Sequence, residues 1–169
     1  PAVAADNLGI PSMPALVQAV KSLEDMGVRE EMSVIISGGV RNGADLAKAL
    51  ALGADAVALG TGVMVAMGCA VCLKCHEGKC AFGIGTQDPE RRARLDIEKA
   101  AQQVANYIQA MTIEAIILAK AAGKTKLSNL EREDIRSLTL EACAMTGIPL
   151  VGSNYTFTDD KFGFFNPSI

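Results

Sequence analysis

The sequence has no tryptophan, one histidine, and aromatic residues at only 4%. So sparse a set does not build the stacking surfaces on which single-stranded nucleic acid lies. Net charge is only −3, so the basic surplus needed for a phosphate backbone is missing too. Nucleic acid is therefore not expected as a partner. No apolar run reaches the roughly 20 residues that span a bilayer. The N-terminus lacks the basic-then-apolar order of a secretory signal. The expectation is a cytoplasmic chain with no membrane contact. It begins at Pro1 rather than Met, which fits a processed chain, an incomplete one, or a piece of a longer protein.

What is present is a 169-residue chain, half of it apolar, enough for one domain with a real core. Five cysteines are an odd number, and four of them, Cys69, Cys72, Cys75 and Cys80, fall within twelve residues. Clustered cysteines in a cytosolic chain point to metal or redox chemistry before structural disulfides. Cys143 stands apart on an apolar helical stretch and reads as a small core residue.

Three zones follow along the chain. Residues 1–67 alternate helix and strand. Pro14 to Gly27 reads as a helix, with Leu16, Val17, Val20 and Leu23 on one face. Residues 33–37 form a β-branched apolar run that fits a strand buried on both faces, as parallel strands are. A turn at Gly38-Gly39-Val40-Arg41-Asn42-Gly43 leads to a short helix from Ala44 to Leu52. Ala56 to Leu59 reads as a second buried strand, followed by a turn at Gly60-Thr61-Gly62 and a helical start through Val63. This βαβα order implies α/β architecture with a parallel sheet. A (β/α)8 barrel takes about 250 residues, so the zone reads as the last quarter of such a TIM barrel. Residues 68–87 are the cysteine loop. Residues 88–169 form a helical extension and tail. Asp88-Pro89 is expected to open one helix, and Ser128-x-x-Glu131 to cap another running towards Gly147.

Glycine lets backbone N–H groups approach an anion with no side chain between them, and a helix start just beyond adds a favourable dipole. In (β/α)8 barrels phosphate often binds at the loops after strands seven and eight. Gly38-Gly39 and Gly60-Thr61, each after a predicted strand, together fit a phosphate site. Taken singly, each also fits a plain tight turn. Arg41 adds charge or is simply solvated. The cysteine spacing C-x2-C-x2-C-x4-C places four thiols in one loop, a density that favours an iron–sulfur cluster. Zinc, which usually takes two separated pairs or histidine partners, is the lesser alternative, and inert thiols the least. His76, inside the loop, is a zinc ligand, a hydrogen-bond partner of a cluster sulfur, or an ordinary loop residue.

Residues 37–43, Leu50-Ala51-Leu52-Gly53-Ala54-Asp55, Gly60-Thr61, and Gly68-Cys69 through Thr86-Gln87-Asp88-Pro89-Glu90 together resemble the end of the FMN-binding synthase domain of glutamate synthase. The likeness runs from about Pro1 to Arg92 and is closest to the short archaeal and stand-alone forms. The glycine turns alone also suit IMP dehydrogenase-like barrels; the cysteine loop followed by Thr-Gln-Asp-Pro-Glu separates the two. The resemblance implies FMN, its phosphate held at Gly38, Gly39, Gly60 and Thr61. It implies a 3Fe–4S cluster on Cys69, Cys75 and Cys80. Cys72 is an addition to that pattern, either completing a 4Fe–4S cluster or standing by. Ala81 replaces the usual proline after the third ligand.

The implied reaction transfers glutamine-derived ammonia to 2-oxoglutarate and reduces the resulting imine at FMN to give glutamate. The implied partners are the upstream half of the barrel, a glutamine amidotransferase subunit, and a ferredoxin or an NAD(P)H-oxidising subunit. An N-methylglutamate synthase-type enzyme and a non-catalytic iron–sulfur electron-transfer subunit are the alternatives. The family's flavin-ring and 2-oxoglutarate contacts lie mostly before Pro1, so no catalytic residue is named.

Overall fold

A computed structural model describes residues 7–154 and 156. Helix α1 spans Ser12–Asp25 and buries Pro14, Leu16, Val17 and Val20, the face that the apolar spacing predicts. After a 3-10 turn at Arg29–Glu31 come strand β1 (Ile35–Ser37), helix α2 (Gly43–Ala51), strand β2 (Ala56–Ala58) and helix α3 (Thr61–Ala66). β1 and β2 pair in parallel, with Ile36 opposite Val57. The expected βαβα order is therefore present, as a mixed α/β, helix-rich chain with a two-stranded sheet.

The core lies on one side of that sheet. Leu16, Val17 and Val20 of α1 meet Ile36, Ala49, Leu52 and Ala54, and Ile148 closes the cluster from far along the chain. Burying each of the larger aliphatic side chains stabilises by about 1.5–3 kcal/mol. The expectation of strands buried on both faces is corrected: Ile36 is buried, but its neighbour Ile35 is 63% exposed. Successive strand residues point to opposite faces. α1 and α2 supply cover for one face, while Ile35 leaves the other apolar and open.

Asp55 ties the entries of the two strands together. Its carboxylate accepts the Val34 N–H at 2.6 Å and Arg29 Nη2 at 3.0 Å. The Val34 bond first, then the Arg29 bond, holds its pKa below the ordinary carboxylate value. A depressed folded-state pKa means that this contribution is present at neutral pH and is lost as pH falls below the ordinary carboxylate range.

The extension departs from expectation in two places. Asp88 caps a helix as predicted, but that helix, α4, is only Pro89–Arg92. The N–H groups of Arg94 and Leu95 bond three residues back, which tightens and ends it. Asp96 then caps a new helix, α5, from Ile97 to Ala121. The second departure follows Ser128. Two 3-10 turns, at Leu127–Asn129 and Arg132–Asp134, stand where a helix start is expected, and the capping box is made by Glu131 and Asp134. Lys124 pairs with both of those carboxylates. Ser137 bridges to Leu150 in extended form, so the helix α6 is confined to Leu140–Thr146, capped by Thr139 and closed by Gly147. Cys143 on α6 is fully buried, as a small core residue should be. The expected tail at the end of this extension lies largely outside the described residues. Among those described, no helix is long and apolar enough to cross a membrane.

Candidate functional site

Both glycine turns open onto one cavity of about 640 Å³, lined by Ser37, Gly38, Gly39, Val40 and Arg41 from the first turn and by Ala58, Gly60, Thr61, Gly62 and Val65 from the second. The sheet register makes this so. Ser37 and Ala58 are paired across the strands, so parallel strands leave the sheet side by side and their turns lie on the same edge. Gly38 and Gly39 have φ of +109° and +76°, a region closed to most side chains. All four residues predicted to hold a phosphate, Gly38, Gly39, Gly60 and Thr61, thus meet at one place.

No acceptor among the described residues engages the N–H groups of Gly39, Val40, Thr61 or Gly62. At the first turn of α3 this follows from helix geometry, since no side chain caps it. The start of α2 is closed by contrast. Asn42 accepts the Asp45 N–H at 2.9 Å, and Glu114 of α5 accepts the Gly43 N–H at 2.7 Å. Residues with such free backbone donors therefore line a cavity that an anion would suit, while the Gly43 and Asp45 donors at α2 are spent on side chains. The Arg41 guanidinium is solvated and, among the described residues, pairs with Asp45 at 3.5 Å.

One lining residue escapes the sequence reading. Tyr107, on α5, donates its Oη–H to the Arg41 carbonyl at 2.9 Å and forms the outer wall. A Cβ on Gly62 would lie 2.4 Å from that hydroxyl, so the ring packs directly on the second turn. The available signal is slight: Tyr107 stands four residues before Met111, on the face that α5 buries.

The cysteine loop starts one short helix from the cavity. α3 begins at Thr61, and the Cys69 N–H bonds to the Met64 carbonyl just past its end. Cys80 is buried, and the N–H groups of Gly85 and Phe82, then those of Ile84 and Gly83, hold its thiol below the ordinary cysteine value. Cys75 packs against the same Gly85, whose added Cβ would lie 3.5 Å from the Cys75 sulfur. Gly85 thus brings Cys75 and Cys80 to one stretch of backbone. Cys69 accepts the Val71 N–H at 3.3 Å, and Cys72 is exposed. Among the described residues, no three His, Cys, Asp or Glu side chains are gathered as metal ligands would be. His76 is solvated, 4.0 Å from Glu77.

The segment after the cysteines folds back to hold them. Buried Thr86 donates to the Gly78 carbonyl at 2.5 Å and accepts the Asp88 N–H at 3.2 Å. Arg91 donates to the Lys79 carbonyl at 2.9 Å. The two residues before Cys80 are thereby fixed. Thr86→Val keeps the shape and removes both bonds, and is expected to destabilise the loop by about 1–3 kcal/mol. Faster limited proteolysis between Cys69 and Cys80, with the remainder intact, is the expected readout.

A family model described as the conserved region in glutamate synthase matches residues 1–125. The chain belongs to the glutamate synthase family. That match runs past Arg92, where the likeness is expected to end, and takes in α5 with Tyr107 and Glu114. A glutamate synthase large subunit-like protein of Rhizobium meliloti is 44% identical over 166 residues, covering 89% of this chain and 38% of its own length. An archaeal glutamate synthase (NADPH) of Methanocaldococcus jannaschii is 47% identical over 142 residues, covering 83% of this chain and 28% of its own length. An archaeal-type glutamate synthase (NADPH) of Thermotoga maritima is 38% identical, with the same coverage. The chain thus spans well under half the length of these glutamate synthase relatives.

Proposed function

We propose that this chain is the downstream part of a glutamate synthase's synthase region, gripping the phosphate of FMN and carrying an iron–sulfur cluster beside it. The observation that carries the reading is the single cavity shared by both glycine turns, with α3 leading from it straight to Cys69. The donors fit a phosphate: N–H groups of Gly39, Val40, Thr61 and Gly62 without internal acceptors, and the Thr61 hydroxyl beside them. A doubly charged phosphate, which can only accept, matches donors of this kind.

The cysteine loop fits a cluster by its donor chemistry. It supplies four thiols: Cys69 accepts the Val71 N–H, and neighbouring backbone N–H groups hold the buried Cys80 thiol below its ordinary value, a setting that suits a metal-bound sulfur. Cys69, Cys75 and Cys80 would hold a 3Fe–4S cluster, and Cys72 would be the fourth ligand if the cluster is 4Fe–4S. When bound, FMN and the cluster supply electron transfer for reductive amination of 2-oxoglutarate with glutamine-derived ammonia. The residues of this chain position the two groups. The two turns fix the phosphate end, α3 sets its spacing from Cys69, and the Thr86 and Arg91 bonds hold the backbone before Cys80. α3 is about 9 Å long at about 1.5 Å per residue.

The open face at Ile35 supports the upstream part of a (β/α)8 barrel as the missing neighbour. A glutamine amidotransferase subunit and a ferredoxin or NAD(P)H-oxidising subunit are the further partners in this reading.

Anaerobic purification of the full-length protein tests it. The expected result is FMN, iron and acid-labile sulfide bound together, with glutamate formed from 2-oxoglutarate and glutamine under a reductant. Zinc in place of iron, or a cluster without FMN, overturns the reading. Glutamate-dependent turnover with methylamine in place of glutamine would transfer it to N-methylglutamate chemistry.

A further inference from the structure

We infer that helix α5 positions the phosphate turn, through Tyr107 at the Arg41 carbonyl and Glu114 at the Gly43 N–H. The inference rests on the phosphate reading above and names residues beyond the glycine turns. Tyr107 and Glu114 are seven residues apart, two helical turns, and so project from one face of α5. Both reach the same three-residue segment: 2.9 Å from Tyr107 Oη to Arg41 O, and 2.7 Å from Gly43 N to Glu114 Oε2.

Their effect is to sort the polar groups of the turn. A carbonyl beside an anion is repulsive, because both are acceptors. Tyr107 takes up the Arg41 carbonyl and turns it towards α5. The Arg41 N–H is held by Asp45 at 3.1 Å, and the Asn42 side chain by the Asp45 N–H. Glu114 occupies the Gly43 N–H, which would otherwise offer a second anion position at the start of α2. What remains without an acceptor is the donor set of Gly39 and Val40, with Thr61 and Gly62, all on residues that line the cavity. Tyr107 also rests on Gly62, so one side chain spans both turns. With its proton committed to Arg41, the phenol has no donor left for phosphate. Its role is that of a positioning residue.

Binding of FMN and of riboflavin to the flavin-stripped full-length protein, followed by flavin fluorescence, tests this. The unsubstituted protein is expected to prefer FMN strongly. Tyr107→Phe keeps the ring and frees the Arg41 carbonyl. It is expected to weaken FMN about fivefold to tenfold, the range of one hydrogen bond, and to leave riboflavin unchanged. Glu114→Ala is expected to give the same phosphate-selective loss, and Glu114→Gln, which keeps an acceptor oxygen for Gly43, to restore it. An equal loss for both flavins in Tyr107→Phe, or no loss for either, overturns the inference, as does failure of Glu114→Gln to rescue. An unsubstituted protein that does not distinguish FMN from riboflavin overturns the phosphate reading itself, and the inference with it.

Discussion

Gly43→Ala is expected to lower the melting temperature by roughly 10 °C, corresponding to about 3 kcal/mol for a chain of this size. A methyl group at position 43 would stand 2.3 Å from the Met111 carbonyl oxygen, 2.6 Å from the Ala115 nitrogen and 2.6 Å from the Glu114 Cβ. Two of the three are backbone atoms of α5, which cannot rotate aside as a flexible side chain would. Ordinary contact needs about 3.5 Å, so α2 and α5 would have to separate by roughly 1 Å. Overpacking of this kind typically costs about 1–3 kcal/mol, and here it also strains the Gly43–Glu114 hydrogen bond. α2 and α5 pack through small buried residues, Ala47 on one and Ala115 and Ala119 on the other, so the displacement would spread along both. Differential scanning calorimetry checks it. A melting temperature within about 2 °C of the original would show that the helices pack less closely than the geometry states.

Cys80→Ser is expected to remove the iron and acid-labile sulfide almost completely. Cys80 is the one thiol of the loop that is buried, and its sulfur lies among the N–H groups of residues 82–85. Serine is smaller and harder, and it is not ionised at neutral pH, so it replaces a thiolate poorly as an iron ligand. The N–H groups would lose their sulfur acceptor as well. Cys75→Ser, beside the same Gly85, is expected to behave alike. Cys72→Ser is the informative contrast. Its thiol is exposed, and retention of iron and sulfide would fix the ligand set at Cys69, Cys75 and Cys80. Cluster loss would make the set four. Metal and sulfide analysis with electron paramagnetic resonance on anaerobic samples reads all three variants.

What was legible in the sequence is local backbone chemistry. A short apolar run closed by a glycine turn reads as a strand and a turn, and the two examples between Val34 and Gly62 form within the expected stretches. The parallel pairing then follows from the intervening helix, and it brings Gly38, Gly39, Gly60 and Thr61 to one cavity. The misses have separate causes. The open face at Ile35 depends on what lies against it, and alternation or continuity of apolar residues does not tell what is supplied by another part of a protein. The break between α4 and α5 turns on a competition between two good N-caps, Asp88 and Asp96, and propensity alone does not rank them. Tyr107 is a long-range contact. It belongs to a helix beyond the cysteine loop, and only three-dimensional packing places it on Gly62.

The shortness of α3 has a consequence for how this region can vary. Its six residues hold the phosphate-side turn at one end and deliver Cys69 just past the other. Adding one residue to it would swing Cys69 by about 100° around the helix axis and advance it by about 1.5 Å. α3 therefore serves as a ruler and a protractor at once: a single insertion between Thr61 and Ala66 would aim the first cysteine of the loop the wrong way.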